Sequence, residues 1–417
     1  MANVLLISRY YPPEVAAAAV CVSETAKRLA TCGHRVTVLT TLPHHPTGIV
    51  PPEYRGFLSR EEMIDGVRVV RVWSYASANV GFFRRILSQF SFGCLAPILA
   101  RKKLGHPDVI IVESPPLPTV IAARILARRE HCPFIFWVAD LWPEAAVQLG
   151  RLRDRRLVRL AEWLEASTYR HAAMVWVVSQ GLYEFLVRRG FSPTRLFVLP
   201  NGVDAETFRP LPRAASRAEL DWDDRFTVLY AGAHGPSHAL TTILDAADRL
   251  RLHRDIRFVF VGAGAEKADL VAQARRRQLD NVTFLDPVPH DRMPVLLAAA
   301  DVCVAHMRRL AVFEANLPIK MYEAMACGRP LLLALNGNAR DMAVRDAGAA
   351  LHVEPEDAEA FASAVKYLRD HPAEAEQLGL RGRRYIEGRF DYDTLTQTAD
   401  RCVRDVLRES QTANADH

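Results

Sequence analysis

Short apolar runs alternate along the chain with longer stretches of helical periodicity. The first apolar run covers residues 4–7, and a helical stretch of about 15–32 follows it. Gly33 is the type of residue that ends a helix, and the β-branched run at 36–40 is typical of a buried parallel strand. This strand–helix–strand pattern predicts an α/β fold.

The pattern occurs in two halves of the chain, which meet near residue 205. Predicted strands in the first half cover 109–112, 134–138, 175–178 and 195–199, with a helix over 118–129. Those in the second half cover 227–230, 257–261, 282–285, 302–305 and 330–334, with helices over 240–252 and 267–278. The polar stretch 213–225 is interpreted as an irregular linker. We therefore predict two doubly wound, Rossmann-like domains, 1–204 and 205–390, facing each other across a cleft, and a C-terminal helix in 391–417 that crosses back to the N-terminal domain.

Composition limits the classes of function. The 417 residues suit two domains, and a net charge of +5 argues against a general nucleic-acid binder. The seven cysteines include no CxxC pair, so we expect no metal site and no cofactor, and their apolar surroundings fit a reducing cytoplasm. The first apolar run is too short for a signal peptide, and no uncharged run reaches membrane-spanning length.

Glycine-containing loops follow two strands of the second half. Gly262 and Gly264 follow one strand, and Gly232 and His234 follow another. Small residues let a phosphate or a base approach the backbone, and a following helix N-terminus favours an anion. A simple tight turn is the alternative for each loop, but two such loops in one half favour a nucleotide site.

The segment 316–330 predicts a loop, a short helix, a glycine stop and a strand. Lys320 and Glu323 are three residues apart and therefore share one helical face. A lysine here can neutralise a diphosphate and a carboxylate can accept hydrogen bonds from a ribose. A surface ion pair is the structural alternative.

Polar residues after strands of the first half are candidates for binding an acceptor. Asp140 follows the predicted strand 134–138 and could orient an acceptor hydroxyl or act as a base; a helix N-cap is the alternative. His44 and His45 follow the second strand, where a surface loop is equally compatible. Glu14 and Trp142, in the neighbouring turn-rich segments, complete the predicted acceptor set.

Residues 82–104 combine apolar positions at helical spacing with basic residues at both ends. This pattern fits a peripheral contact with an anionic membrane, and a helix packed in the core explains it equally well.

Taken together, these segments resemble the retaining glycosyltransferases of family four, which have the GT-B fold. The resemblance extends over nearly the whole chain and is carried by 10–14, 33–38, 140–143, 200–204 and 323–330. Residues 46–48 and 318–320 are most similar to the branch that builds colanic acid and O-antigen, which includes fucosyl and N-acetylfucosaminyl transferases.

The resemblance implies a nucleoside diphosphate sugar as donor, retention of anomeric configuration and no need for a metal. It places Glu323 on the donor ribose, with Asp140, Lys320 and Glu323 as the catalytic group. Ala315 stands where the family has another glutamate, and Ala233 and His238 stand where it has arginine and lysine. The implied donor-binding residues are Ala16, Ala17, Gly232, His234, His238, Gly262, Gly264, Pro287, Val288, Pro318, Ile319, Lys320 and Glu323.

The predicted function is transfer of a sugar, from a UDP-sugar in preference to a GDP-sugar, to a lipid-linked or glycan acceptor in cell-surface polysaccharide synthesis. The expected location is the cytoplasm, with peripheral contact to the inner face of the plasma membrane. The alternatives are a nucleotide-sugar epimerase or hydrolase on the same scaffold, and a catalytically impaired assembly partner.

Overall fold

The computed structural model describes residues 1–14, 16–45, 47–76 and 82–415. The chain divides into two compact units, residues 1–200 with 392–417, and residues 201–391. Val15, Pro46 and Gly81, which the predicted helix, loop and amphipathic segment include, lie outside the described residues.

The first unit is built on one eight-stranded sheet. Its strands are β1 (Asn3–Ile7), β2 (Arg35–Thr41), β3 (Ser59–Ile64), β4 (Val67–Val72), β5 (Val109–Ser114), β6 (Phe134–Val138), β7 (Met174–Val177) and β8 (Leu196–Val198). Their order in the sheet is β3-β4-β2-β1-β5-β6-β7-β8, and all neighbours are parallel except β3 and β4. The apolar central strands are buried on both faces, as a doubly wound sheet requires.

Helices cover this sheet. They are α1 (Ala17–Thr31), α2 (Phe82–Leu99), α3 (Thr119–Glu130), α4 (Glu144–Gln148), α5 (Arg155–His171) and α6 (Gln180–Arg188). Neither these nor any other helix in the described ranges has the length and apolar character needed to cross a membrane.

The second unit repeats the architecture with six parallel strands. They are β9 (Phe226–Ala231), β10 (Ile256–Val261), β11 (Val282–Leu285), β12 (Val302–His306), β13 (Leu331–Ala334) and β14 (Ala350–His352), in the order β11-β10-β9-β12-β13-β14. Its α-helices are α7 (Arg213–Glu219), α8 (Thr241–Arg249), α9 (Lys267–Arg276), α10 (Met293–Ala299), α11 (Ile319–Ala326), α12 (Asn338–Arg340), α13 (Ala358–Asp370) and α14 (Pro372–Ile386).

The last helix, α15 (Tyr392–Ala415), packs in the first unit although the second unit precedes it in the chain. A hydrogen bond of 2.7 Å connects His34 Nε2 with Asp400 Oδ1, and the indole N–H of Trp176 donates to the Cys402 sulfur at 3.0 Å. Val403 of the same helix is fully buried. The first unit is therefore completed by the end of the chain.

The interpretation of 213–225 as an irregular linker is wrong, because α7 begins at Arg213. Its Arg217 is buried and donates to the Asp301 carboxylate at 2.5 Å and to the carbonyl of Ala299 at 3.0 Å. A charged residue with such partners can point from a helix into the protein interior. The polar character of this segment in the sequence does not reveal that burial.

Candidate active site

In each sheet the strand order reverses direction beside the first strand of the unit. Open α/β sheets bind ligands at such a switch point. In the second unit this point lies between β9 and β12. The loop after β9 contains Gly232, His234 and His238. Helix α11 follows β12 in the chain and brings Lys320 to the same place. The structure thus assembles residues that are about 90 positions apart in the sequence.

The glycines after β9 and β10 are required by close backbone approach. Gly262 has φ +141°, and a Cβ at this position would lie 2.0 Å from the carbonyl oxygen of Gly232. A Cβ on Gly264 would lie 2.3 Å from the carbonyl oxygen of His234. The two loops are therefore packed against each other without room for a methyl group.

Lys320 is the central charged group of this site. Its Nζ is buried, lies 3.9 Å from the centre of the Tyr230 ring, and has no hydrogen-bond partner within the described parts of the chain. A Cβ on Gly232 would lie 2.7 Å from this Nζ. Burial lowers the Lys320 pKa to about 7, while the nearby Glu323 carboxylate acts in the opposite direction. An ammonium in this state can gain a strong interaction from an incoming anion.

Two histidines lie close to Lys320. His234 is fully buried, and neither ring nitrogen has a partner among the described residues. Burial lowers its pKa to about 4, and the charges of Lys267 and Lys320 act in the same direction. Burial likewise lowers the pKa of His238 to about 3, with a further decrease from Lys320. Both rings are therefore neutral at physiological pH and can donate or accept a hydrogen bond.

Glu323 is buried on α11 and is hydrogen-bonded to a histidine that the sequence analysis did not single out. His290 Nε2 lies 2.8 Å from Glu323 Oε1, and the His290 ring packs on Phe208 with 4.9 Å between ring centres. His290 reaches Glu323 from the loop after β11. No local motif marks this histidine, because its partner is 33 residues away.

The remaining predicted donor contacts lie around the same edge. Pro287 is exposed and Val288 half-buried in the loop after β11, and Pro318 is the N-cap of α11, followed by the half-buried Ile319. Ala315 ends a short 3₁₀ turn.

Ala16 and Ala17 are in the first unit, as the N-cap and first residue of α1, and no side chain caps this helix. The structure thus places them in a different unit from the Lys320 cluster.

Several predicted acceptor residues of the first unit are occupied by contacts inside the protein. His44 contacts Arg9 Nη2 through Nε2 at 2.9 Å and donates from Nδ1 to the carbonyl of Leu42 at 2.8 Å. Glu14 Oε1 accepts the backbone N–H groups of His44 and His45 at 2.9 and 2.8 Å. These contacts shape the loop, since both nitrogens of His44 have partners.

His45 packs edge-on against Tyr10, with 4.9 Å between ring centres. Burial lowers the pKa values of His44 and His45 to about 4, so both rings are neutral at pH 7.

A buried carboxyl group, Glu113, lies at the switch point of the first unit, where β1 meets β5. Its Oε2 accepts a hydrogen bond from Ser8 at 3.1 Å. Burial raises its pKa to about 8; the Ser8 bond lowers it and the Asp140 charge raises it further. Asp140 is half-buried beyond the end of β6. The sequence analysis did not select Glu113, because the apolar residues before it predict only a core strand.

Trp142 is half-buried and packs with Val147 and Val158 against a small apolar cluster of Ala146, Leu152 and Ala161. Trp142 thus packs among residues of α4 and α5, and its part in acceptor binding stays a prediction. Among the described residues, no group of three or more histidine, cysteine, aspartate and glutamate side chains is placed to hold a metal ion.

Solved structures with the same fold span nearly the whole chain. Sucrose-phosphate synthase from Thermosynechococcus elongatus is 21% identical, covers 98% of this chain and all of its own, and superposes with a TM-score of 0.77. HepE from Anabaena, solved with UDP and glucose, is 20% identical, covers 97% of this chain and all of its own, and has a TM-score of 0.73. The fold is that of the GT-B glycosyltransferases.

Two family models match consecutive parts of the chain. Residues 16–202 match the glycosyl transferase 4-like domain, and residues 212–385 match glycosyl transferases group 1. The chain therefore consists of a glycosyl transferase 4-like domain followed by a group 1 glycosyltransferase domain.

Curated relatives of the chain are named as glycosyltransferases. WcaI of Escherichia coli K12, named as a colanic acid biosynthesis glycosyl transferase, is 26% identical over 87% of this chain and 91% of its own length. The D-inositol 3-phosphate glycosyltransferase of Rhodococcus jostii is 30% identical over 74% of this chain. The chain spans 63% of the length of that relative.

Proposed function

We propose that this glycosyltransferase moves a sugar, with retention of configuration and without a metal, from a nucleoside diphosphate sugar to a glycan or lipid-linked acceptor. The observation that carries the proposal is the buried Lys320 ammonium, which has no hydrogen-bond partner in the described chain. A buried cation without a partner is costly, and an anionic ligand removes that cost. The chemistry that fits is a diphosphate leaving group, on which negative charge develops during transfer.

Neutral donors complete the proposed diphosphate site. Gly232 keeps the space beside Lys320 Nζ open, and the unpaired nitrogens of His234 supply a hydrogen bond without adding a second buried charge. Together they replace the arginine and lysine that the resemblance leads one to expect after β9. The combination supports metal-independent binding of the diphosphate.

Glu323 is the proposed ribose ligand. Its hydrogen bond with His290 holds the carboxylate in one orientation on α11, one turn from Lys320. A fixed carboxylate can accept hydrogen bonds from two adjacent hydroxyl groups. We therefore assign the nucleoside to Glu323 and the phosphates to Lys320.

Asp140 is proposed to position the acceptor hydroxyl in the first unit. The neighbouring Glu113 is protonated at neutral pH, because burial raises its pKa to about 8. Asp140 therefore does not face a second full negative charge there. The departing phosphate can take the proton of the acceptor hydroxyl.

UDP-sugars are the favoured donors, and the solved HepE structures with UDP support this choice. A GDP-sugar is the alternative, supported by a relative from Mycobacterium tuberculosis that is named a GDP-mannose-dependent mannosyltransferase and is 27% identical over 70% of this chain. The name of WcaI supports a polysaccharide acceptor of the colanic acid kind.

A membrane-bound acceptor agrees with the surface of α2. Phe83, Leu87, Cys94 and Ile98 are exposed, and their spacing places them on one side of this helix. We propose that α2 rests on the inner face of the plasma membrane and gives the enzyme access to a lipid-linked acceptor.

The proposal is tested by separating the two halves of the donor. Lys320→Met should weaken binding of both UDP and pyrophosphate, by roughly 10- to 100-fold for UDP. Glu323→Gln should weaken UDP binding and leave pyrophosphate binding unchanged. Titration calorimetry measures all four affinities, with Lys366→Met and Glu376→Gln as matched controls on the same unit. Wild-type affinity of Lys320→Met for both ligands would refute the assignment.

A nucleotide-sugar screen then tests the reaction. Purified protein with donor alone should release sugar slowly, and addition of a lipid-linked or glycan acceptor should accelerate UDP release. Rapid turnover without acceptor would instead identify a hydrolase or epimerase. No thermal shift with either UDP or GDP would favour the non-catalytic assembly partner, to which the missing glutamate at Ala315 also points.

A further inference from the structure

A second amphipathic surface lies on α5, in the first unit, apart from the α2 face. Leu157, Leu160 and Trp163 are 41%, 55% and 59% exposed. At 100° per residue, Leu160 and Trp163 point away from the buried Ala161 and Glu165. An exposed tryptophan beside exposed leucines forms an apolar surface that no described residue covers.

Arginines surround this apolar face. The segment from Arg151 to Arg159 contains five exposed arginines, at 151, 153, 155, 156 and 159, and one aspartate, Asp154. Asp154 is used by the helix itself, because its Oδ1 accepts the N–H groups of Arg156 and Leu157 at 2.8 and 3.0 Å. No ion pair joins Arg155, Arg156 or Arg159 to any described residue.

Beside the helix is a surface pocket of about 480 Å³. It is lined by Val147, Leu152, Arg153, Arg155, Val158, Arg159 and Glu162. Three of these residues are apolar, three are arginines and one is a glutamate. Such a pocket matches a phosphorylated headgroup with the start of its apolar chain.

The position of the pocket relates it to the predicted acceptor residues. Leu152 belongs to the small apolar cluster against which Val147, Val158 and Trp142 pack, and Trp142 lies two residues after Asp140. In addition, burial lowers the pKa of Arg85 at the start of α2, and the charge of Arg151 lowers it further. The basic segment before α5 therefore lies near the beginning of α2. The two amphipathic helices therefore border one region of the first unit.

We propose that α5 and residues 151–154 form a docking surface for a bilayer containing anionic phospholipid, with Leu160 and Trp163 in the interfacial layer and Arg155 and Arg159 on lipid phosphates. Charge complementarity selects this occupant, because the surface carries five arginines and its apolar face includes a tryptophan, the residue type enriched at membrane interfaces. The proposal goes beyond the α2 contact and does not depend on the transfer reaction.

Sedimentation of the full-length protein with vesicles tests this surface. The wild type should bind vesicles of phosphatidylcholine with phosphatidylglycerol, and binding should fall as salt is raised and be weak on phosphatidylcholine alone. Arg155→Gln with Arg159→Gln should weaken binding roughly tenfold or more. Leu160→Gln with Trp163→Gln should weaken it as well.

Matched controls lie on the second unit. Arg275→Gln with Arg276→Gln removes the same charge from an exposed face of α9, and Leu252→Gln removes an exposed leucine; both should leave vesicle binding unchanged. Unchanged binding of the α5 variants would overturn the proposal, as would a wild-type dimer that the α5 variants dissociate and that does not bind vesicles. UDP affinity, measured on the same variants, should remain at the wild-type value, so a failed docking surface is distinguished from a failed donor site.

Discussion

Lys320 is held where the protein offers its ammonium an aromatic ring face but no hydrogen-bond acceptor among the described residues. In the unliganded enzyme this arrangement costs stability, and the cost is recovered only when an anion binds. Replacing such a lysine should therefore raise the stability of the protein and lower its affinity for the ligand, whereas replacing a purely structural lysine would not have this combined effect.

The first prediction concerns the pH dependence of that cost. The folded-state pKa of Lys320, about 7, lies below its unfolded value, so the folded protein binds fewer protons between pH 7 and about 10.5 and its stability rises across this interval. Lys320→Met should therefore raise the Tm most below pH 7 and progressively less toward pH 10. Thermal unfolding over this pH range, with Lys366→Met as control, checks the trend; a constant difference would contradict it.

The second prediction concerns Glu113, whose pKa is displaced in the opposite direction. Its folded-state pKa of about 8 exceeds the ordinary carboxyl value, so the unfolded state releases the proton first and stability falls as pH rises from about 4.5 to 8. Glu113→Gln should stabilise the protein relative to wild type at pH 8 and much less at pH 5. The exposed Glu376→Gln should show no such dependence in the same unfolding measurements.

At the level of elements, the loops after β9 and β10 pack directly against each other at the proposed diphosphate site. Gly262 cannot accept a side chain without displacement of its neighbours, because a Cβ would lie 2.0 Å from the carbonyl oxygen of Gly232, far inside van der Waals contact. Gly235, in the same loop, has no atom within 4 Å of an added Cβ and an ordinary extended backbone. The two glycines thus provide a built-in comparison.

The third prediction is that Gly262→Ala lowers the free energy of unfolding by about 1–3 kcal/mol, through strain and displacement of the Gly232 loop. The substitution should also weaken UDP binding, since Gly232 lies against Lys320. Gly235→Ala should leave both quantities close to wild type. Denaturant unfolding and UDP titration of the two variants provide the comparison, and equal effects would argue against the close packing of the two loops.

The strands that carry the site could be predicted from the sequence, because buried parallel strands have continuous apolar runs. The predicted strand 282–285 agrees with β11, and 134–138 agrees with β6. The β3–β4 hairpin was not predicted, since β3 is an edge strand without a fully buried residue and contains polar residues such as Glu61 and Glu62. Edge strands of this kind lack the apolar signal on which the prediction depends.

The candidate site was predictable where residues are close in the sequence and not where folding joins distant ones. Lys320 and Glu323 share a helical turn, so their spacing alone placed them together. His290 and Glu113 depend on contacts with Glu323 and Ser8, at separations of 33 and 105 residues. No periodicity encodes such contacts.

For the whole molecule, the packing of α15 in the first unit leads to a fourth prediction. Truncation after Asp391 removes the partners of His34 and Trp176 and exposes the surface that covers Val403 and Val406. The truncated protein should lose a substantial part of its thermal stability and aggregate at lower temperature. A truncation after Glu409 keeps these contacts and serves as the control in the same melting experiment.

The chain order of these pieces has a consequence for biosynthesis. On the ribosome, the eight-stranded sheet emerges first but waits for its final helix until the entire six-stranded unit has been translated. During that interval the surface that later packs against Val403 and Val406 is accessible to chaperones or to a neighbouring nascent chain. Completion of the first unit is thereby delayed until α15 has been translated and has left the ribosome.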